Sequence, residues 1–541
     1  MYRYAIAVLG LVGLSSAHAE LTGALLSQFF AKGIGTSGEE RVRCMIQTTD
    51  QGFVLGGYTM PDYPPATDED VFVIKLNPDG SLAWEKQYVG ADHECAYSVI
   101  QTPDGGFAVA GYTWSFGADS SDVLLMKLNP DGSVAWARRY GGASYDYAWS
   151  MTRTTDGGFA LAGVTTSFTD VTSDWLVLKV NSDGSLAWTR TFGRTGYADE
   201  AHSIIQTSDG GLAVVGRADS WGAGNADVLV LKLNADGSLA WARTFGGTNA
   251  DEAYSIIQTS DGGYAITGYT DSWGVATGSY FVLKLNPNGS LAWAKAYEGL
   301  GVNDSYYFVA YSIIQTSDGG YLVTGDGFLF GTGYHYQWII LKLNPDGSIA
   351  WSRMFGKAGD MDAMYHIKST IQTSDGYYAL SGRSDNWITP GPPWSWGDFV
   401  VLKMDGDGNY PLPCFLEPYP MVEITASPGT SSPSTGATCS PSSASVSPTI
   451  RTPGFTVIDI CEPLYGDVGE TGPGPQPVIT CSPLSGGVLF NSPGSLPIKI
   501  YSSGGRLAYS GELMKGENRI LLETGVYLWQ AGTHKGKAIV K

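Results

Sequence analysis

Residues 201–247 read AHSIIQTSDGGLAVVGRADSWGAGNADVLVLKLNADGSLAWARTFGG, and variants of this unit make up most of the chain. The unit holds four short apolar runs, separated by a DGG turn, a longer loop and an NADG turn. Asp-Gly and Gly-Gly pairs supply the positive φ that tight hairpins require, so both turns indicate antiparallel strands. Four strands in a repeat of 52 residues or slightly more are typical of one β-propeller blade.

Three series of residues show that the unit recurs. A Trp in the last strand recurs at spacings of 52 to 58 residues, an Asp opens the first turn, and a Lys closes the third strand. The series are Trp84, Trp136, Trp188, Trp241, Trp293 and Trp351; Asp50, Asp104, Asp156, Asp209, Asp261, Asp318 and Asp375; and Lys75, Lys127, Lys179, Lys232, Lys284, Lys342 and Lys403. Seven copies are present. We interpret the Trp as blade packing and the Lys as a solvent-facing cap.

The third strand and the two ends of the repeat array indicate a closed ring. Residues 228–231 are apolar at consecutive positions, so both faces of the sheet must be covered, as they are between radially arranged blades. The last copy stops after Lys403, and Gln28–Lys32 near the N-terminus is a counterpart of its missing fourth strand. We therefore predict an all-β fold, a seven-bladed β-propeller closed by an N-terminal strand.

The DGG and NPDGxxxW signatures between Leu26 and Asp405 resemble a family of bacterial extracytoplasmic β-propeller repeat proteins. The resemblance implies the fold. The recurrent Trp is also similar to the tryptophan-docking blades of quinoprotein dehydrogenases. Those blades are usually shorter and commonly number eight, so we do not transfer the dehydrogenase activity.

The chain begins with the layout of a secretory signal. Arg3 precedes the apolar run AIAVLGLVGL, and Ala17-His18-Ala19 stands ahead of Glu20. We predict a signal peptide over 1–19, the propeller over 20–410, a Pro/Ser/Gly-rich linker over 411–483 and a C-terminal β-domain over 484–541. No later run approaches the roughly 18 apolar residues of a transmembrane helix. The mature protein should be secreted.

The tail carries three alternating segments, PIKIYSSGGRLAYSG, GENRILLETGVYLW and GKAIVK. Its IY-x-x-x-GR, GVY and KAIVK elements resemble the sorting domain of type IX secretion substrates of Gram-negative bacteria. The resemblance implies a small Ig-like β-sandwich, the type IX machinery as a partner, and a location outside the cell or on the outer-membrane surface. The alternative is an ordinary appended β-sandwich module.

The net charge limits the classes of partner that the protein can bind. A formal net charge of −20 argues against nucleic acid or an anionic membrane as the main partner. We expect a monomer.

Cys44 and Cys95 approach the channel mouth from adjacent blades, and a disulfide is predicted if their Cα atoms lie within about 7 Å. Cys414, Cys439, Cys461 and Cys481 allow three pairings, and the sequence does not choose among them.

Candidate binding residues are aromatics that do not repeat from blade to blade. The loops after the second strand and between blades share one rim, where function is expected. Flat rings with polar tips suit stacking on sugars or anchoring a protein. The binding candidates are Trp114, Tyr306, Tyr307, Tyr334, Tyr336, Trp394 and Trp396.

Acidic residues precede the innermost strand of five copies, at Glu40, Glu94, Asp146, Asp199 and Asp251. They bind either neighbouring loop amides or a cation, and calcium is the cation that several oxygen ligands would suit. The sequence contains no GxSxG, HExxH or P-loop motif. We therefore predict no cofactor other than calcium and a non-catalytic module that binds glycan or protein. The alternative is a secreted glycoside hydrolase or lyase using carboxylates near the channel mouth.

Overall fold

The computed structural model describes residues 30–409 apart from ten loop segments, together with strands between residues 416 and 540. The omitted segments are 36–38, 61–68, 116–119, 170–171, 223–224, 274–277, 300–306, 330–334, 356–363 and 385–397. The described residues form strands and turns, and none of them belongs to a helix able to span a membrane. The chain divides into two compact units, residues 1–409 with 418–460, and residues 410–417 with 461–541.

The first unit is a seven-bladed β-propeller, as the repeats predict. Each blade is an antiparallel sheet whose strands follow the chain order. Blades one to three consist of β2 (Glu39–Gln47), β3 (Phe53–Met60), β4 (Asp70–Leu76) and β5 (Leu82–Val89); β6 (Glu94–Gln101), β7 (Phe107–Thr113), β8 (Asp122–Leu128) and β9 (Val134–Gly141); and β10 (Asp146–Arg153), β11 (Phe159–Thr165), β12 (Asp174–Val180) and β13 (Leu186–Phe192).

Blades four to six repeat this plan. Their strands are β14 (Asp199–Gln206), β15 (Leu212–Ala218), β16 (Asp227–Leu233) and β17 (Leu239–Gly246); β18 (Asp251–Gln258), β19 (Tyr264–Thr270), β20 (Ser279–Leu285) and β21 (Leu291–Gly299); and β22 (Tyr307–Gln315), β23 (Tyr321–Leu329), β24 (His335–Leu343) and β25 (Ile349–Phe355). The first strand of each blade contacts the first strands of both neighbouring blades, so these strands line the central channel.

Blade seven combines strands from distant parts of the chain. It contains β26 (Met364–Gln372), β27 (Tyr378–Ser384) and β28 (Asp398–Met404), and β1 (Phe30–Gly35) pairs with β28. Phe30 lies opposite Lys403, as Trp84 lies opposite Lys75 in blade one. The strand begins at Phe30, so Gln28 and Phe29 of the expected strand lie outside the described residues.

The hydrophobic core lies between the blades. Every residue of β16 is buried, which agrees with the consecutive apolar pattern of third strands. One core cluster joins Val228 and Val230 of blade four to Ile266 and Leu283 of blade five. The recurrent Trp packs across the same boundaries, since a Cβ on Gly132 of blade two would lie 2.9 Å from the Trp84 ring of blade one.

The recurrent Lys differs from its expected role. Its side chain is buried rather than solvent-facing, and its Nζ forms a salt bridge with the turn Asp of the same blade. The pairs are Lys75–Asp50, Lys127–Asp104, Lys179–Asp156, Lys232–Asp209, Lys284–Asp261, Lys342–Asp318 and Lys403–Asp375. The second glycine of DGG makes room for it, because a Cβ on Gly106 would lie 2.7 Å from Lys127 Nζ and 2.2 Å from the Leu128 carbonyl oxygen.

Part of the expected linker pairs with the propeller. After β29 (Leu416–Pro418), five short strands lie within residues 421–459, a segment we call the belt. The belt strands and their partners are β30 (Met421–Thr425) on β21, β31 (Gly429–Ser431) on β17, β32 (Ser442–Ser445) on β9, β33 (Thr449–Arg451) on β5 and β34 (Thr456–Asp459) on β1. The belt therefore visits blades five, four, two, one and seven, opposite to the order of the repeats.

The second unit is also built from antiparallel strands. One sheet contains β35 (Thr480–Leu484), β36 (Gly487–Ser492) and β39 (Gly516–Leu521). The other contains β37 (Leu496–Ser502), β38 (Leu507–Leu513), β40 (Gly525–Ala531) and β41 (His534–Val540), in the order β38-β37-β40-β41.

Candidate functional site

A β-bulge in the innermost strand sets one side chain per blade apart from the regular ladder. In blades one to six the register between the first and second strands shifts at one residue, as at Tyr97 between Ala96 and Ser98. Bulges of this kind re-aim a side chain. The six bulge residues are half-buried and lie on the channel-lining strands: Arg43, Tyr97, Trp149, His202, Tyr254 and Tyr311.

Six aromatic residues of blades two and three form two groups of contacting rings, a pair at the loop rim and a cluster of four further in, which together we call the aromatic strip. It consists of Trp114, Tyr145, Tyr112, Tyr147, Tyr97 and Trp149. Ring centroids lie 5.6 Å apart for Trp114–Tyr145, 5.0 Å for Tyr112–Tyr147 and 4.5 Å for Tyr97–Trp149. Trp114 and Tyr145 are exposed, and the other four are half-buried. The strip therefore leads from the loop rim to the bulge residues in the channel.

The strip has polar groups along its length. The Tyr112 hydroxyl donates a hydrogen bond of 2.8 Å to Glu69 Oε2. The indole N–H of Trp149 is buried and has no acceptor among the described residues. Burial raises the pKa of Tyr147, so its hydroxyl is neutral and can donate at pH 7. The strip thus offers apolar faces flanked by donors.

Blades four to six carry a second arc of bulge residues with a different character. His202 stacks on Tyr254 at 4.9 Å, and Tyr254 meets Tyr311 at 5.2 Å. Carboxylates that already have protein partners border this arc. Glu252 accepts a hydrogen bond of 2.6 Å from the Tyr254 hydroxyl and forms a salt bridge of 2.9 Å with Arg217.

Glu200, a carboxylate of the second arc, has the wrong pKa shift for a general acid. A hydrogen bond to His202 lowers the pKa of Glu200, and Arg217 adds to the effect. A general acid for glycoside cleavage needs the opposite shift, a carboxyl whose pKa is raised. Glu200 is therefore held as an anion and is poorly suited to donate a proton.

Only one of the predicted binding aromatics has a described side chain. Trp114 is 37% exposed and forms the outer end of the strip. Tyr307 and Tyr336 lie in β22 and β24, where both are aligned with Phe328 of the intervening strand; their side chains lie outside the described residues. Tyr306, Tyr334, Trp394 and Trp396 also lie outside them.

Sequence reasoning missed five members of the strip. It expected function on the loop rim, whereas Tyr97, Tyr147 and Trp149 lie in the innermost strands, which line the channel. A signal was present in blade three, where residues 144–149 read SYDYAW and place aromatics at three alternate positions. Alternation by two aligns Tyr145, Tyr147 and Trp149 along one strand, and no other copy shows it.

The five predicted acidic residues are all buried, and four of them have described partners in nearby strands and loops. Glu94 accepts from Thr113 at 2.7 Å, Asp146 from Ser167 at 2.6 Å and Asp199 from Ser220 at 2.5 Å. Asp251 accepts from the Gly247 amide and from Thr270, and Glu40 is fully buried. Burial raises the pKa of Glu94, Asp146, Asp199 and Asp251. Within the described residues no three His, Cys, Asp or Glu side chains converge on a metal site, so calcium stays a prediction.

The predicted disulfide is not formed in this structure. Cys44 and Cys95 are buried and free. The Cys44 thiol donates to the Gly56 carbonyl at 3.5 Å, and the Cys95 thiol donates to the Ala96 carbonyl at 3.7 Å. Cys44 belongs to a hydrophobic cluster with Ala96. Because neighbouring residues in a strand face opposite sides, Cys95 lies outside that cluster.

These features define a seven-bladed β-propeller with an aromatic site at the mouth of its channel. Residues 102–134 and 207–239 match a beta-propeller domain of unknown function, DUF5122. A search of curated proteins finds no match.

Several solved structures are similar to this chain. Sqt1 from Chaetomium thermophilum has a TM-score of 0.40 and 13% identity, covering 69% of this chain and 98% of its own. The mannose phosphorylase MPT-4 from Leishmania mexicana has a TM-score of 0.27 and 9% identity, covering 71% and 86%. The endo-1,5-alpha-L-arabinanase from Thermotoga petrophila has a TM-score of 0.23 and 12% identity, covering 57% and 97%.

Proposed function

We propose that this protein is a secreted or cell-surface β-propeller that binds a glycan chain, without cleaving it, along the aromatic strip. The cluster of four contacting rings that ends at Trp149, with the exposed pair Trp114 and Tyr145 at the loop rim, supports this proposal. Pyranose rings have an apolar face of C–H groups that packs on flat aromatic rings, and their hydroxyls match the flanking donors.

A glycan fits the strip better than a protein partner. Protein interfaces are broad patches that bury about 800 Å² on each side. The strip is instead a narrow row whose inner end lies among the channel-lining bulge residues. An extended sugar chain can follow such a row, whereas a globular surface can reach only the exposed outer end, Trp114 and Tyr145.

Glycan binding by the mature full-length chain tests this proposal. A glycan array selects ligands, and calorimetry then measures affinity. Trp149→Ala should weaken binding at least about tenfold, which corresponds to about 1.4 kcal/mol, because it removes a stacking surface. Tyr197→Ala is the matched control: Tyr197 is 47% exposed but lies outside the strip.

Three outcomes would contradict the proposal. Binding that survives Trp149→Ala would place the ligand elsewhere. A protein captured through Trp114 in the absence of any glycan ligand would favour an adhesion module. Release of shorter sugars from any polymer by the wild-type chain would favour the glycoside hydrolase or lyase instead.

We further propose that the second unit is an Ig-like sandwich that acts as a type IX sorting domain. Its two antiparallel sheets and the motifs of its tail support this assignment. From Lys499 onward the tail has seven Lys or Arg against three Glu, in a chain of net charge −20, which is consistent with a separate partner. A chain lacking 484–541 should remain in the periplasm, and its arrival at the cell surface would contradict the proposal.

A further inference from the structure

The inner end of the aromatic strip meets a half-buried cation. Arg43 is the bulge residue of blade one, and its guanidinium carbon lies 5.3 Å from the Tyr97 ring centroid and 5.4 Å from that of Tyr58. Arg43 therefore contacts the strip through Tyr97, which in turn meets Trp149. It is the only cation among the six bulge residues of blades one to six, where the other blades have Tyr, Trp or His. Its place in the channel is thus a departure from the repeat.

No anion of the described chain neutralises this cation. No described carboxylate forms a salt bridge with Arg43, and its Nε–H is buried without a hydrogen-bond acceptor. Glu69, an acidic residue of this region, already accepts from Tyr112. Burial raises the pKa of Cys95 to about 12 and raises the pKa of Tyr58, so both groups are neutral at pH 7.

A charge that is partly removed from water and has no counter-ion is costly. The effective penalty is several kcal/mol for each ion, and chains reduce it by pairing the charge. The rings of Tyr58 and Tyr97 recover part of this penalty through cation–π contacts with the guanidinium. An anion arriving from outside the chain would supply the missing charge and accept from Nε.

We propose that Arg43 is the anion subsite of this glycan site and that the ligand is an acidic polysaccharide, one carboxylate or sulfate of which binds the guanidinium and so offsets locally the repulsion from a chain of net charge −20. This inference rests on the proposed function. The planar guanidinium presents several donors in a fixed geometry that matches both kinds of oxyanion. The strip holds the neighbouring sugar rings, so the acidic group is recognised at the inner end of the row.

Charge-matched oligosaccharides test the inference on the full-length mature chain. Tetragalacturonate is compared with its methyl ester, which differs by the loss of the negative charges, and sulfated maltotetraose is compared with maltotetraose. We expect one acidic probe to bind at least about tenfold more tightly than its neutral partner, with the preference shrinking as salt increases. The two pairs distinguish a carboxylate ligand from a sulfate ligand.

Variants then assign the preference to one side chain. Arg43→Gln should remove the preference for the acidic probe while leaving the weaker binding of the neutral one, and Arg43→Lys should retain part of it. Arg138→Gln is the matched control, because Arg138 also rests on an aromatic ring, 5.8 Å from Trp136, but lies in the fourth strand of blade two. Thermal melting checks that each variant is folded.

The outcomes separate this inference from the proposed function. Equal binding of acidic and neutral probes, lost in Trp149→Ala, would keep the glycan site and overturn the anion subsite. An acidic preference that survives Arg43→Gln would also overturn it. Failure of every glycan to bind would overturn both.

Discussion

Single side chains join neighbouring blades, and the terminal Gln of the innermost strand shows how. Its Oε1 accepts a hydrogen bond of 2.8 to 2.9 Å from a turn N–H of the preceding blade at six of the seven junctions. The bond from Ser374 to Gln47 joins blade seven to blade one. At the junction of blades two and three the donor position is Pro103, which has no N–H, and the acceptor position is Arg153.

This exception gives a prediction about coupled substitutions. Pro103→Ser with Arg153→Gln should create the seventh bond, so the two changes together should raise the free energy of unfolding by about 1 kcal/mol more than the sum of the single changes. Chemical denaturation of the four chains in a double-mutant cycle measures this coupling. Strict additivity would show that the bond does not form. The pair Ser208→Pro and Gln258→Arg should lower the free energy of unfolding by a similar amount, because it copies the exception to the junction of blades four and five.

Within each blade, the pair of recurrent Lys and turn Asp connects the first turn to the third strand. Hydrogen bonds from Lys127 and Thr102 lower the pKa of Asp104 to about 2. A carboxyl whose pKa is lowered in the folded state adds stability above its unfolded pKa, near 4, and loses it as pH falls towards 2. The pair therefore contributes at neutral pH and not in strong acid.

Asp104→Asn tests this contribution. We expect the variant to lose about 1 kcal/mol of unfolding free energy at pH 7, a modest value because the Asp104 side chain is 61% exposed. The difference from wild type should shrink between pH 4 and pH 2 and vanish below pH 2. Urea denaturation of both chains across this range measures it. A difference that is independent of pH would assign the loss to the turn rather than to the ion pair.

The belt is the element that the sequence did not reveal. Each blade could be predicted because its turns need Asp and Gly and its buried strands need apolar runs, which leave a pattern. Belt strands such as Ser442–Ser445 pair through backbone groups at the outer strands, and such pairing requires no particular side chains. Their Pro- and Ser-rich composition therefore looks like a linker. The aromatic strip was hidden for another reason, since Tyr97 and Trp149 are 52 residues apart and meet only across a blade boundary.

Replacing residues 421–459 with a Gly/Ser linker of equal length tests the role of the belt. The belt covers the outer strands of blades such as four and five, which would otherwise expose unpaired N–H and C=O groups. We expect the substituted chain to retain the seven blades but to melt at a lower temperature and to aggregate more readily. Calorimetry and light scattering measure the two effects. Unchanged values for both would show that the paired strands add nothing to stability.

At the scale of the whole molecule, strands from opposite ends of the repeat array pair with each other. β1 pairs with β28 from Phe30 opposite Lys403 to Ile34 opposite Phe399, and β34 of the belt pairs with the other edge of β1. Ile34 is fully buried in a cluster that includes Val42 and Val401, so β1 contributes both backbone pairing and core packing. We propose that this strand closes the propeller and that the ring depends on it.

A chain that starts at Thr36 should therefore be markedly less stable than one that starts at Glu20. The truncation removes the side chain of Ile34 from the core, worth about 1.5 to 3 kcal/mol, and leaves the edge of β28 without a partner. Thermal melting measures the loss, and hydrogen exchange at β28 locates it. A chain that starts at Ser27 keeps all of β1 and should melt like the longer one. Equal melting temperatures for the chains starting at Glu20 and Thr36 would show that the propeller holds together without this strand, because the contacts of β26 with β2 would then suffice to close the ring.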